Sequence, residues 1–218
     1  MHPVPGEMNS LIWSVVAIVV AYVLGSVPGG LVLGRMVGVD LRTQGSGNAG
    51  ATNAVRARGP WFGAAVFVFD AGKGVIAVAL LPLLAGAAAP PWLSAACAGA
   101  VILGHVFPLW FRFRGGKGFA TALGALLVLS PLALGVVAGV WIVVLVLTGY
   151  VSAATLCGTL AFPVFVIAAE HARPTSLMVF SAVLALFLFY THRTNLVRLA
   201  QGTEHRFRRV WLLGRGRR

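Results

Sequence analysis

Charged residues are scarce in this chain, and acidic residues are the rarest of them. Only 10% of the 218 residues are charged, five of them Asp or Glu, whereas 59% are hydrophobic. A soluble domain carries roughly 25% charged residues, so this composition excludes a water-soluble fold and indicates one membrane domain over residues 1–218. The two cysteines, Cys97 and Cys157, form no CxxC pair and predict no disulfide framework. Few His and acidic residues, without ligand spacing, predict no metal site.

The chain contains several long apolar runs. A helix needs about 20 apolar residues to cross a bilayer. The candidate spans are residues 11–33, 61–84, 92–110, 119–129, 132–148, 151–169 and 176–190. The fourth is short for an untilted crossing. Six spans is therefore the alternative, with this run merged into its neighbours or forming half of a hairpin at Ser130-Pro131. We predict an all-α polytopic membrane protein with seven transmembrane helices.

The distribution of basic residues predicts the orientation of these spans. Fifteen of the 17 Lys and Arg residues lie in three groups: after the first span, after the third, and in the basic tail at residues 192–218. Seven spans place all three groups on one side of the membrane, and cytoplasmic loops are the ones enriched in Lys and Arg. The N-terminus is therefore predicted outside and the tail in the cytoplasm.

The first basic segment is rich in glycine and small polar residues. Glycine allows a positive φ and close approach of a ligand to backbone N–H groups, which form anion-binding nests. A helix start after Gly50 would also favour a phosphate. A solvated loop of turn residues is the alternative, and the Walker A pattern is absent. The candidate phosphate-binding residues here are Arg42, Gly45, Ser46, Gly47, Asn48, Thr52, Asn53 and Arg56.

Two later segments carry similar chemistry. In the second, cations flank glycines ahead of a predicted helix, and membrane topology alone would require the charge but not the glycines. Its candidates are His105, Arg114, Gly115, Gly116, Lys117 and Gly118. In the third, a continuing helix would place His192 and Asn195 on one face, with Arg193 beside them. Asp70 and Lys73 lie three residues apart inside the second span, and either a structural ion pair or a role in the site explains them.

The chain closely resembles the PlsY family of bacterial membrane acyltransferases, which acylate glycerol 3-phosphate from an acyl-phosphate donor. The matching stretches are GSVPGGLVLGRMVGVDLRTQGSGNAGATNAVRARG, DAGKG, GHVFPLWFRFRGGKGFATALG and THRTNLVRLAQGTEHRF. They occur in the family's order and spacing and cover nearly the whole chain. Departures are mild, such as Arg35 and Arg114 where lysine is common.

The resemblance implies seven transmembrane helices, a cytoplasmic active site and transfer of a fatty acyl group from acyl phosphate to the 1-hydroxyl of glycerol 3-phosphate. The products would be lysophosphatidic acid and inorganic phosphate, in the first step of phospholipid synthesis. An acyl phosphate is already activated, so no ATP, metal or other cofactor is required. The implied partners are the two substrates, the bilayer and, as a candidate, the enzyme that makes acyl phosphate, with no nucleic acid. The implied catalytic residues are Ser26, Arg42, Ser46, Lys117, His192 and Asn195.

The general base stays open between His192 and the phosphate of the acceptor itself. Asp40 and Glu204 are interpreted as partners that position cations, because neighbouring positive charge keeps a carboxylate ionised and weakly basic. Two other classes compete with the acyltransferase. A transporter of a phosphorylated metabolite would suit the charges in the second span, although no inverted repeat is visible. A lipid phosphatase would need a nucleophile-and-carboxylate pair that the sequence does not offer.

Overall fold

The structure is a computed structural model that describes residues 5–169, 174–207 and 210–212. Within these residues it contains ten α-helices and no β-strand, which confirms the all-α prediction. The helices are α1 Pro5–Gly25, α2 Gly29–Met36, α3 Ala51–Arg58, α4 Pro60–Ala79, α5 Leu93–Val106, α6 Phe119–Leu129, α7 Pro131–Thr148, α8 Val151–Ala168, α9 Thr175–Thr191 and α10 Arg193–Ala200. Five of the fifteen grouped basic residues in the orientation argument lie outside the described residues: Arg208, Arg209, Arg215, Arg217 and Arg218.

Seven apolar helical segments correspond one for one to the predicted spans. Five are long and apolar enough to cross a membrane: Met8–Gly25, Pro60–Ala87, Leu93–Phe111, Pro131–Thr148 and Val151–Ala168. A sixth is the pair formed by α9 and α10, which is bent by 60°. The seventh, α6, has only 11 residues, so the count of seven crossings and their orientation stay predictions.

Proline corrects the end of the first predicted span. That span was expected over residues 11–33, but α1 ends at Gly25 because Pro28 lacks an N–H group and disfavours helix in the residue before it. The second span, expected over residues 61–84, is confirmed as Pro60–Ala87, within which α4 ends at Ala79 and a 3₁₀ segment containing Pro82 follows from Leu81. The third, expected over residues 92–110, is confirmed as Leu93–Phe111, within which α5 ends at Val106, two residues before Pro108.

The chain divides into two compact units, and the first is Met1–Leu129. In this unit α1 packs against α5, and α4 packs against both α3 and α6. The contact between α1 and α5 depends on small residues, because a Cβ at Gly104 would collide with the carbonyl oxygen of Tyr22. Small residues let membrane helices approach closely enough for van der Waals packing to hold them together. This contact positions the end of α1, where the GSVPGG stretch begins.

The second unit is Ser130–Arg218. Its helix α8 packs against α7 and α9, with Phe162 and Phe180 in edge-to-face contact at 6.2 Å between ring centroids. Many large side chains of this unit stay exposed, including Leu132 at 69% and Leu186 at 75%. Exposed aliphatic side chains on apolar helices are what a lipid-facing surface requires.

Candidate active site

The break between α1 and α2 places Ser26 in a buried position. Its side chain is fully buried, and its hydroxyl donates to the carbonyl oxygen of Tyr22 at 2.9 Å. The phenol of Tyr22 in turn donates to the carbonyl oxygen of Phe107, at the end of α5, at 2.7 Å. Ser26 therefore lies at the junction of two helix ends rather than on an open loop.

A charged cluster of Asp70, Lys73 and His105 lies inside the first unit. The Lys73 Nζ is 3.0 Å from the Asp70 Oδ1 and 2.8 Å from the His105 Nδ1. All three side chains are at most 3% exposed. The ion pair expected from the three-residue spacing is confirmed. The inclusion of His105 was missed, because it lies on a different helix and no sequence spacing connects it to the pair.

This cluster is bonded to the backbone of the break that follows α1. The Asp70 Oδ1 accepts from the N–H of Gly29 at 2.9 Å, at the first residue of α2. The Lys73 ammonium donates to the carbonyl oxygens of Gly25 and Val27 at 3.1 and 3.2 Å. A helix end leaves N–H and C=O groups without partners inside the helix, and here two charged side chains supply them.

The GSGN loop, residues 45–48, is organised by the side chain of Asn53. The Asn53 Oδ1 accepts from the N–H of Ser46 at 3.0 Å. Its Nδ2 lies 2.9 Å from the carbonyl oxygens of Leu41, Gln44 and Asn48. Asn53 is only 1% exposed. The expectation that it donates to a bound phosphate is therefore corrected: its donors are used to hold the loop in shape.

Replacing Asn53 by alanine should disorder this loop. The substitution removes the hydrogen bond from the Ser46 N–H and those that the Asn53 Nδ2 donates to carbonyl oxygens of the loop, each bond contributing about 0.5–1.5 kcal/mol. We expect the free energy of unfolding to fall by about 2–4 kcal/mol and amides 41–53 to lose protection from hydrogen exchange. Thr43→Ala, at an exposed position in the same segment, is the control and should stay within about 0.5 kcal/mol. Unchanged protection in Asn53→Ala would contradict the assignment.

Arg42 forms a bidentate ion pair with Asp40. The Arg42 Nε lies 3.0 and 3.1 Å from the two Asp40 carboxylate oxygens, and the Nη2 lies 2.7 Å from Oδ2. The hydrogen bond from Arg42 lowers the pKa of Asp40, and the same bond raises the pKa of Arg42. Asp40 is thus paired with the guanidinium of Arg42, and its role in positioning Arg42 for the reaction stays a prediction.

A cavity of about 330 Å³ opens beside this pair. Its lining residues are Leu31, Arg35, Gly38, Val39, Asp40, Arg42 and Phe111. Phe111 comes from the second basic segment, and it packs with Leu31 and Ala49 while the guanidinium of Arg35 lies 4.9 Å from its ring centroid. The two basic segments of this unit are therefore packed together. We also predict that the GSGN and GGKG loops meet in space, with Ser46 and Lys117 on the same face of the membrane, because two phosphates must lie close together when a group transfers between them.

The GGKG loop, residues 115–118, is attached to the end of α5. The N–H of Gly115 donates to the carbonyl oxygen of Val106, and that of Gly116 to the carbonyl oxygen of His105, both at 3.1 Å. The hypothesis that these two N–H groups bind a phosphate is therefore corrected. A Cβ at Gly116 would collide with the His105 imidazole. Lys117 follows directly and is half-buried, just before α6 begins.

The exposure of the other predicted binding residues varies. Asn48, Thr52 and Arg56 are half-buried, as is Gly115, whereas Gly116 and Gly118 are buried. The remaining candidates are exposed: Gly45, Ser46, Gly47, Arg114 and Arg193. Gly45, Gly47 and Gly118 have φ values of 53°, 71° and 93°, the region that glycine enters most readily. The two loops therefore have the backbone freedom that the sequence predicted.

In the second unit, the expected continuous helix through His192 is corrected to a bend of 60° between α9 and α10. The His192 Nδ1 lies 2.8 Å from the carbonyl oxygen of Leu188. Because a carbonyl oxygen only accepts, this bond puts the proton on Nδ1, and in a neutral imidazole the lone pair is then on Nε2. Both His192 and Asn195 are buried, at 6% and 8% exposure.

Glu204 joins two residues of α10. Its Oε1 accepts from the Asn195 amide at 2.9 Å, and its Oε2 accepts from the Arg198 Nε at 2.8 Å. Burial by itself raises the pKa of Glu204, but the hydrogen bonds from Arg198 and Asn195 outweigh it and lower that pKa below its usual 4.5. Glu204 is thus paired with Asn195 and Arg198, and its role as a positioning partner stays a prediction.

This lowered pKa makes a contribution to stability that depends on pH. A carboxylate with a lowered pKa stabilises the fold above its unfolded-state value, and that contribution is lost as the pH falls through the folded-state value. We expect the thermal midpoint to drop between about pH 6 and pH 3 by more in the wild type than in Glu204→Gln. Asp40→Asn is the matched variant for the first unit. Equal pH dependence in the wild type and Glu204→Gln would contradict the role assigned to Glu204.

Apolar helices together with polar loops rich in Gly and Arg define an integral membrane protein. The family model described as glycerol-3-phosphate acyltransferase matches residues 15–202, so the chain belongs to that family. The family recognised in the sequence is thereby confirmed.

Individual relatives agree with this membership. The glycerol-3-phosphate acyltransferase of Geobacter sulfurreducens is 42% identical over 189 residues, which covers 87% of this chain and 95% of that protein. A protein of the same name from Thermus thermophilus is 42% identical over 200 residues, which covers 91% of this chain and 96% of that protein.

The crystal structure of PlsY (YgiH), an integral membrane glycerol 3-phosphate acyltransferase, in its glycerol 3-phosphate form, superposes with a TM-score of 0.83 at 36% identity. The superposition covers 89% of this chain and 95% of the PlsY chain. A second PlsY structure, in its lysophosphatidic acid form, gives a TM-score of 0.80 at 35% identity and covers 88% and 94%.

Proposed function

We propose that this acyltransferase moves a fatty acyl group from acyl phosphate to the 1-hydroxyl of sn-glycerol 3-phosphate. The hydroxyl oxygen attacks the acyl carbonyl carbon, the bond from that carbon to the phosphate oxygen breaks, and inorganic phosphate leaves. Lysophosphatidic acid is the other product. The observation that carries the proposal is the packing of two glycine-rich, cationic segments within one unit of a chain whose family acylates glycerol 3-phosphate.

Two anionic substrates require positive charge and donors in the site. Arg42, oriented by Asp40 beside the cavity, and Lys117, at the start of α6, are proposed to neutralise phosphate charge. Ser46 is proposed as a neutral donor, whereas Ser26, whose hydroxyl donates to the carbonyl oxygen of Tyr22, is assigned to the site by its motif. His192 and Asn195 are assigned to the same reaction by their motif. Because acyl phosphate is already activated, orientation and charge neutralisation supply most of the acceleration.

The acceptor's own phosphate is proposed to take the proton of the attacking hydroxyl. A phosphate monoester has a second pKa near 6, close to the operating pH, which suits a general base. The alternative is His192, whose Nδ1 bond to Leu188 leaves the lone pair on Nε2. Either group would receive the proton of the attacking hydroxyl, so the test must distinguish the substrate phosphate from His192.

The site is proposed to face the cytoplasm of a bacterial cell, in the inner membrane. Most basic residues belong to the three segments that carry the motifs, and the positive-inside rule puts such segments in the cytoplasm. The enzyme that makes acyl phosphate is a proposed partner on that side.

Phosphate release from palmitoyl phosphate tests the function. The purified protein in detergent should release phosphate only when glycerol 3-phosphate is present, with one lysophosphatidic acid formed per phosphate. Release without the acceptor would indicate a phosphatase. Absence of release under both conditions would contradict the acyltransferase and favour transport.

A further inference from the structure

The cluster of Asp70, Lys73 and His105 has no part in the reaction proposed above. We propose that these three are positioning residues, which fix Ser26 and the GGKG loop relative to each other. The inference rests on the proposed function, because it concerns the placement of groups assigned to that reaction. It goes beyond that function by assigning a role to three buried ionisable side chains to which the proposed reaction gives none.

One side of the cluster holds the break that contains Ser26. Lys73 donates to the carbonyl oxygens of the residues on either side of Ser26, Gly25 and Val27. Asp70 accepts from the N–H of Gly29, where α2 begins. Two side chains of α4 thus bond the backbone at Gly25, Val27 and Gly29, on both sides of Ser26. The position of Ser26 is therefore fixed relative to α4.

The other side of the cluster holds the GGKG loop through His105. The His105 carbonyl oxygen accepts from the N–H of Gly116, and the imidazole lies so close to Gly116 that no Cβ would fit. The Nδ1 of the same ring lies 2.8 Å from the Lys73 Nζ and 3.2 Å from the Asp70 Oδ1. One residue therefore connects the charged pair to the loop that presents Lys117.

The energetic cost of burying these charged side chains indicates that their role is to position other groups. Asp70 and Lys73 lie inside apolar spans, where ionisable groups are expensive. A buried ion pair is seldom more stabilising than apolar residues of similar volume, so packing alone does not explain it. What apolar residues would not supply is a set of directed bonds to three backbone groups and one imidazole. A displacement of about 1 Å is enough to cost on the order of 100-fold in rate.

Substitutions at His105 separate positioning from packing. The Asn side chain places a polar atom near the position of Nδ1, whereas Leu fills the volume without a polar atom. With both substrates saturating, we expect kcat per folded protein to fall at least tenfold in His105→Leu and to recover to within about threefold of the wild type in His105→Asn. Cys97→Ala, buried on the same helix α5, is the control and should leave kcat unchanged.

A double variant tests the charged pair without leaving one charge alone. Asp70→Asn combined with Lys73→Met removes both charges, so a purely structural pair would be replaced at little loss. We expect a thermal midpoint close to that of the wild type with kcat at least tenfold lower, because Lys73 no longer holds the carbonyl groups around Ser26.

Four results would overturn the inference: wild-type kcat in His105→Leu, wild-type kcat in the double variant, equal impairment of His105→Leu and His105→Asn, or a kcat that falls only in proportion to the folded fraction. The wild-type protein is assayed first. If it shows no phosphate release dependent on glycerol 3-phosphate, the proposed function fails. If it does and the variants match it, only the positioning role fails.

Discussion

Glycerol, which keeps the hydroxyl groups of the acceptor but lacks its phosphate, should be acylated at least 1,000-fold more slowly than glycerol 3-phosphate. The reaction with glycerol loses two contributions to the rate. It gives up the charge-assisted bonds to the cationic loops, each worth roughly 1.5–3 kcal/mol, and it lacks the proposed base, which contributes typically 100-fold or more. The measurement is kcat/KM for each acceptor, from lysophosphatidic acid or monoacylglycerol formation at varied acceptor concentration with palmitoyl phosphate as the donor.

Inorganic phosphate or phosphite added with glycerol separates the two losses. If the missing phosphate is the base, either anion should restore part of the rate by occupying the same site. His192→Ala should then lower the rate with glycerol 3-phosphate without abolishing it, because its role is binding and orientation. Efficient acylation of glycerol alone that disappears in His192→Ala would show that the imidazole is the base.

Arg42→Ala and Lys117→Ala should each lower kcat/KM for the acyl transfer by about 10- to 100-fold. The expected loss is that of one charge-assisted bond to a phosphate, roughly 1.5–3 kcal/mol, and 1.4 kcal/mol is tenfold. The side chains of Arg42 and Lys117 are part-exposed, so both variants should insert and fold. The readout is phosphate release at varied concentrations of each substrate, with the thermal midpoint as a check on folding.

Arg58→Ala is the matched control for these cations. Arg58 is exposed, belongs to the same basic segment as Arg42 and donates to the carbonyl oxygen of Val37 at 3.0 Å. Its loss changes the charge of the segment by the same amount but removes no proposed phosphate contact. A tenfold loss in Arg58→Ala would indicate that the charge of the segment matters rather than its placement. Near-normal activity in both Arg42→Ala and Lys117→Ala would refute their assignment to phosphate.

Much of the fold was predictable because its determinants are local. The apolar runs predicted seven helical segments, and α6 begins and ends at the predicted residues, Phe119 and Leu129. The helix expected after Gly50 is present as α3. The sequence mispredicted the end of the first span, because the apolar run continues past the end that Pro28 imposes on α1.

The functional site, like the fold, was predictable only in part. The sequence by itself determined the family, the glycine-rich loops and their cations, since these depend on residue types in order along the chain. Only the tertiary structure decided what the polar side chains bond to. It turned Asn53 inward to hold its loop and joined His105 to Asp70 and Lys73 across 30 or more residues. Hydrogen bonds between distant segments depend on how the helices pack, and the spacing of residues in one segment carries no record of that packing.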